Sequence, residues 1–138
     1  MNALTTAIYN RSQIASNYKT SIGGRQYSFK AQSAIYPYVV FLILNEKPEF
    51  LLGANTITSS NFENIHCIFN IHSNNVGSSN EVGTILENLK THYDDCTLTI
   101  SGYNNIVMER TNVLGPYWSE EPPEWVIQVE YKLILQKI

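Results

Sequence analysis

Between Ala3 and Tyr18 the apolar residues Leu4, Ala7, Ile8, Ile14, Ala15 and Tyr18 recur at helical spacing, with Asn10, Arg11, Ser12 and Gln13 mainly on the other side. The spacing predicts an amphipathic first helix. Gly23-Gly24 interrupts it, Arg25 to Phe29 predicts a short strand, and Pro37 ends the loop that follows. Tyr38 to Leu44 is continuously apolar and rich in β-branched and aromatic residues, the pattern of a central strand covered on both faces. Helices would supply one cover and a subunit the other.

From Phe62 to His72 the chain alternates, with Ile65, Cys67, Phe69 and Ile71 inward and His66, Asn70 and His72 outward. A turn at Ser73 to Ser78 leads into a second helix, capped by Ser78 or Ser79, with Glu81 in its first turn. Val82, Ile85, Leu86, Leu89 and Tyr93 form its sheet-facing stripe, and Gly83 would permit close packing. Thr97 to Tyr103 and Ile106 to Val113 read as strands joined by a turn or bulge at Asn104-Asn105, and Gly115-Pro116 ends them. A loop from Tyr117 to Glu124 precedes the last strand. There Trp125, Ile127, Val129, Tyr131, Leu133 and Leu135 share one face, and Gln128, Glu130 and Lys132 the other. The order lacks repeated βαβ alternation. It predicts an α+β fold, a mostly antiparallel sheet with two helices packed on one face.

The 138 residues suit a single domain spanning 1–138. Hydrophobic residues reach 43% and charged ones only 15%, so Asn, Ser and Thr must supply much of the polar surface, which suits contacts with other proteins. A net charge of -3 and a pI near 5.5 argue against a domain that grips nucleic acid through its phosphates. No signal-peptide pattern is present, and the longest apolar run, Val39 to Leu44, is far too short to span a bilayer. The expectation is a soluble protein made in a cytoplasm, with Cys67 and Cys96 as free, buried structural thiols.

Candidate chemistry is scattered. His66 and His72 share a strand face, but no close-spaced Cys or His completes a metal site, so they read as solvent-facing or interface residues. His92, at a helix end, would complement the helix dipole when protonated. His66 and Cys67 are adjacent on a strand and point to opposite faces, so they form no thiol–base pair. Asp94-Asp95 reads as a solvated turn, and Glu120, Glu121 and Glu124 as a solvated acidic loop. No phosphate-binding glycine motif, dinucleotide fingerprint or nucleophile elbow occurs. No catalytic residue, metal ligand or cofactor is expected.

Gly23-Gly24-Arg25, the strand start at Pro37 to Val40, Lys47-Pro48-Glu49-Phe50, the strand from Asn61 to Ser73, the helix from Glu81 to Tyr93, Asp94-Asp95-Cys96, Leu98 to Tyr103 and the aromatic-led last strand run along nearly the whole chain. Together these local sequences resemble the tail-completion, or tail-terminator, proteins of long-tailed bacteriophages. Their order and spacing carry the resemblance; Thr111 to Glu124 matches least.

The resemblance implies a non-enzymatic virion component of the tail or neck. Such proteins assemble as rings, commonly hexamers, at the head-proximal end of the tail tube, where they stop tube growth and present a surface to the head. The implied partners are further copies of the chain, the major tail tube protein and the head–tail connector, with DNA passing through the lumen without specific binding, and no membrane. A closed ring gives apolar residues beyond one small core a destination, and aromatics anchor interfaces well. The candidate interface residues are Tyr36, Tyr38, Tyr117, Trp118 and Trp125, whose ordinary alternative is core or loop packing. Two other readings stay open: a connector or adaptor of the same neck, and a small-molecule-binding or enzymatic α+β domain using His66, His72 and the acidic turn.

Overall fold

The structure is a computed structural model that describes residues 2–31, 35–49 and 62–138, with backbone alone at 46–49. Phe50 and Asn61 of the quoted motifs, and positions 32–34 of the loop before Pro37, lie outside the described residues. The elements run α1 (Asn2–Ser12), α2 (Asn17–Ile22), β1 (Gln26–Ser28), β2 (Tyr38–Glu49), β3 (Phe62–Ser73), α3 (Asn80–Tyr93), β4 (Tyr103–Glu120) and β5 (Pro123–Lys137). The strands form one sheet in the order β1-β2-β3-β5-β4, antiparallel except for the β1–β2 pair. The fold is α+β, and the helices cover one face of this sheet.

The predicted first helix is two helices. Ser16 is extended (φ -165, ψ 166), and its hydroxyl accepts from the Lys19 amide at 3.1 Å, an N-cap that restarts the helix as α2. The break turns Ile14 and Ala15 out to solvent and sends Tyr18 into the core.

Alternation in β5 places Ile127, Val129, Tyr131, Leu133 and Leu135 wholly inside, across from Ile65, Cys67, Phe69 and Ile71 of β3. Leu4, Ala7 and Ile8 of α1, Tyr18 and Ile22 of α2, and Val82, Ile85, Leu89 and Tyr93 of α3 close over them in one apolar cluster. Burying each large apolar side chain contributes about 1.5–3 kcal/mol before the entropy of ordering is subtracted. A polar knot lies within this cluster. The Tyr18 hydroxyl donates to Gln26 Oε1, Gln26 Nε2 donates to the Tyr93 hydroxyl (3.1 Å), and that hydroxyl donates to the Ile8 carbonyl (2.9 Å). It joins α1, α2, β1 and α3 with its buried polar atoms paired. Burial holds the hydroxyls of Tyr18 and Tyr93 well above the ordinary tyrosine pKa.

In β2, Val39 and Phe41 are buried under the helices and Val40, on the opposite face, is buried too, while a register shift between Ile43 and Asn45 leaves Leu44 exposed. Three further expectations change. Residues 97–100 are not a strand, although Leu98 and Ile100 are buried in the core; a turn at Gly102 (φ 82) then opens β4. Gly115-Pro116 does not end β4. The strand absorbs it in a bulge between Leu114 and Tyr117, which is tolerable because β4 is an edge strand and a missing proline N–H costs no ladder bond there. The expected loop from Tyr117 to Glu124 is therefore the end of β4, a tight turn and the start of β5. On α3, a Cβ built on Gly83 meets nothing within 4 Å, so this glycine serves no close packing.

Candidate functional site

The sheet face away from the helices carries Tyr38, His66, His72 and Tyr117, whereas Trp118 and Trp125 lie on the helix side. Strand pairing sets Tyr38 against His72 and His72 against Val126, and it pairs Val126 with Tyr117. Tyr38 stacks on His72 at 4.7 Å between ring centroids, Tyr36 leans on Tyr38 at 5.2 Å, and Tyr27 lies 6.3 Å from Tyr38. An aromatic row thus crosses from β1 to β3 at the end of the sheet where β5 begins.

Beneath it lies Glu124. The expected solvated acid is only 6% exposed, and its carboxylate accepts from the Tyr36 hydroxyl at 2.8 Å and from His72 Nδ1 at 3.0 Å. The chain buries it because β5 starts at Pro123 and brings residue 124 up to His72 of β3 and Tyr36 ahead of β2. Burial and then the Glu124 bond push the Tyr36 hydroxyl above the ordinary tyrosine pKa. A satisfied carboxylate under stacked rings is a fastening, with no open position for a substrate. His66 stays exposed on the same face, and its neighbour Cys67 is buried on the other, where desolvation raises its thiol pKa.

Of the other candidates, Trp118 and Trp125 face each other across the β4–β5 pair, edge to face at 5.2 Å. The Trp125 indole N–H donates to the Asn75 carbonyl at 3.0 Å, so this tryptophan also ties down the turn before α3. Tyr117 is 49% exposed, and Leu114 three positions earlier is 45% exposed. The structure therefore bonds Tyr36 to Glu124, stacks Tyr38 on His72, pairs the tryptophans, and leaves Tyr117 open.

His92 does not serve the α3 dipole as expected. It is buried, its Nε2 sits 2.7 Å from the Arg11 carbonyl, and desolvation lowers its pKa below the ordinary 6.5. The cation at that helix end is Arg11, which donates to the His92 carbonyl through Nε at 3.0 Å and Nη2 at 2.8 Å. Asp94 is likewise engaged, by the Tyr131 hydroxyl at 2.6 Å and Arg110 at 3.2 Å. Sequence reading missed the roles of Arg11 and Glu124, and a helical arginine or a loop glutamate offers no local signal of its distant partner.

Among the described residues no group of three or more His, Cys, Asp or Glu side chains is placed to hold a metal ion. A cleft of about 170 Å³ beside Arg11 and His92 is lined otherwise by Asn88, Thr91 and the Ser16–Tyr18 turn. Cys67 and Cys96 are free thiols. No helix among the described residues is long and apolar enough to cross a membrane.

No protein-family model matches this sequence, and no curated protein matches it. Solved structures do share the fold. A chain from the virion of a native gene transfer agent particle superposes with a TM-score of 0.75 at 11% identity, covering 98% of this chain and 96% of that one. A second solved structure gives a TM-score of 0.71 at 8% identity, covering 99% of this chain and 96% of the other.

Proposed function

We propose that this chain is a non-enzymatic structural protein of a phage or phage-like virion. Its residues 1–138 act as one tail-terminator-like domain that forms a ring, a hexamer, at the head-proximal end of the tail tube. The ring ends tube growth, presents the head-joining surface to the connector and lets DNA pass through its lumen without specific contacts. The observation that carries the reading is the end-to-end likeness, over 98% of this chain, to a chain of a gene transfer agent virion. The sequence resemblance described above independently points to the same class. Supporting it physically, the face opposite the helices carries Leu114 and Tyr117 half exposed.

Electron microscopy of the purified protein, alone and with tail tubes, tests the proposal. Rings and capped tube ends are expected. A monomer in light scattering at high concentration, together with no binding to tail tube protein, sinks it. Binding to the connector with bare tube ends would favour an adaptor of the same neck.

A further inference from the structure

We infer that the two lateral edges of the sheet dock on each other between copies of this chain, head to tail, through opposite charge. This rests on the self-assembly proposed above and adds which surfaces meet. Positions 1–45 hold Arg11, Lys19, Arg25 and Lys30, four of the chain's nine basic side chains, and none of its twelve acidic ones. The other five basic side chains stand against all twelve acids, so the chain is +4 before residue 46 and -7 from there on.

Sheet topology turns this sequence asymmetry into a spatial one. α1, α2 and β1 come wholly from the basic part, and β1 forms one edge of the sheet alongside Val39, Val40 and Phe41, beyond which β2 carries on with Glu46, Lys47 and Glu49; β4, from the acidic part, is the other edge. Four strand spacings of about 4.8 Å, roughly 19 Å, separate them. α1 is held over the β1 edge by bonds from Gln26 Nε2 to the Ile8 carbonyl (3.5 Å) and from Gln13 Nε2 to the Gly24 carbonyl (3.0 Å); its Arg11 turns away to the His92 carbonyl of α3, and the cations beside β1 are Lys19, next to Gly24, with Arg25 and Lys30.

At each edge exposed apolar side chains stand beside charge that is mainly basic at β1 and mainly acidic at β4, where Glu109 is offset by Lys132 opposite it on β5. At the β1 edge Lys30 is exposed, next to Phe29, 58% exposed, and near Ile35, 57% exposed. At the β4 edge Glu109, Glu120 and Glu121 are exposed beside Leu114 and Tyr117. Arg110, the sole basic residue of β4, is already engaged by Asp94. Either edge meeting its own kind would oppose like charges, whereas β1 edge against β4 edge matches them. A contact between different patches is what propagates into a ring, and lysine, the usual guard of an open edge strand, is absent from β4.

Charge reversal on the full chain tests the inference, with sedimentation velocity as the readout and circular dichroism confirming that each variant is folded. The double variants Lys19→Glu/Lys30→Glu and Glu120→Lys/Glu121→Lys should each lose self-association by on the order of ten-fold or more. An equimolar mixture of the two should recover it, because the reversed edges complement one another. Glu87→Lys, on the exposed face of α3, changes net charge away from both edges and should leave association intact. Raising salt from 0.1 to 1 M, where the screening length falls from about 10 to 3 Å, should weaken the wild-type assembly. Wild-type association that is indifferent to both double variants, or a mixture of folded variants that fails to recover, overturns the edge pairing and leaves the ring reading standing. A wild-type chain that stays monomeric with and without tail tube protein overturns both.

Discussion

The Tyr36 hydroxyl reaches the Glu124 carboxylate at 2.8 Å across 88 positions of sequence, and His72 Nδ1 holds the same carboxylate at 3.0 Å. The bonds fasten the segment ahead of β2 to the first turn of β5, with β3 between them. Removing the acceptor would strand both donors. Glu124→Ala is expected to lower the unfolding free energy by about 2–3 kcal/mol and Tyr36→Phe by about 1 kcal/mol, measured by urea denaturation at pH 7. Equal stability of Glu124→Ala and the wild type would show the carboxylate to be a bystander.

Arg11 and His92 give a pH prediction with a definite sign. Burial lowers the His92 pKa from 6.5, so in that range the unfolded chain binds more protons than the folded one. Stability from this group is complete above about 6.5 and falls as the pH drops through the folded value. Wild-type melting temperature should therefore decline on acidification below that point, and His92→Gln should flatten this part of the profile. Arg11→Met removes two bonds to the His92 carbonyl and should cost about 1.5–3 kcal/mol at neutral pH.

Trp118 and Tyr117 are neighbours with opposite expected behaviour. Trp118→Ala breaks the edge-to-face pair with Trp125 and should destabilise the fold by at least about 0.5–1.5 kcal/mol. Half-exposed Tyr117 should change folding by no more than about 0.5 kcal/mol when replaced by alanine, yet reduce the yield of assembled rings in electron micrographs. A Tyr117→Ala protein that assembles normally would remove this residue from the interface.

Two glycines should respond to alanine in opposite directions. At Gly115 (φ +106) a Cβ would stand 2.8 Å from the Val126 carbonyl oxygen, so Gly115→Ala should destabilise by about 1–3 kcal/mol. Gly83 lies in α3 with open space around it, and Gly83→Ala should stabilise by about 0.5–1 kcal/mol. Thermal melts of the two variants side by side check both.

Periodicity revealed β3, α3 and most of β5, because each buries one face against the same core and so displays a repeat. It failed where a short polar side chain or a backbone irregularity overrides the repeat. The Ser16 cap splits α1 from α2, and the bulge at Gly115-Pro116 lets β4 continue through what looked like a terminator. At the candidate site Tyr36, Tyr117, Trp118 and Trp125 were visible as aromatics. The carboxylate beneath Tyr36 was not, since a Glu amid Glu120 and Glu121 looks solvated until the tertiary fold supplies His72 and Tyr36 as partners. The run without acids before residue 46 was legible, but its meaning depended on knowing that β1 and β4 are the opposite edges.

The position of β5 between β3 and β4 also bears on how the protein is made. While a ribosome is still translating β4, that strand has no neighbour to pair with, and β3 has a bare flank. Only when Pro123–Lys137 emerges can the sheet be joined, by a strand that fills the gap between β3 and β4 and so sets the β4 edge in place. On the edge pairing inferred above, a nascent chain without that segment has no β4 edge to offer a neighbour, so association between copies would wait for β5.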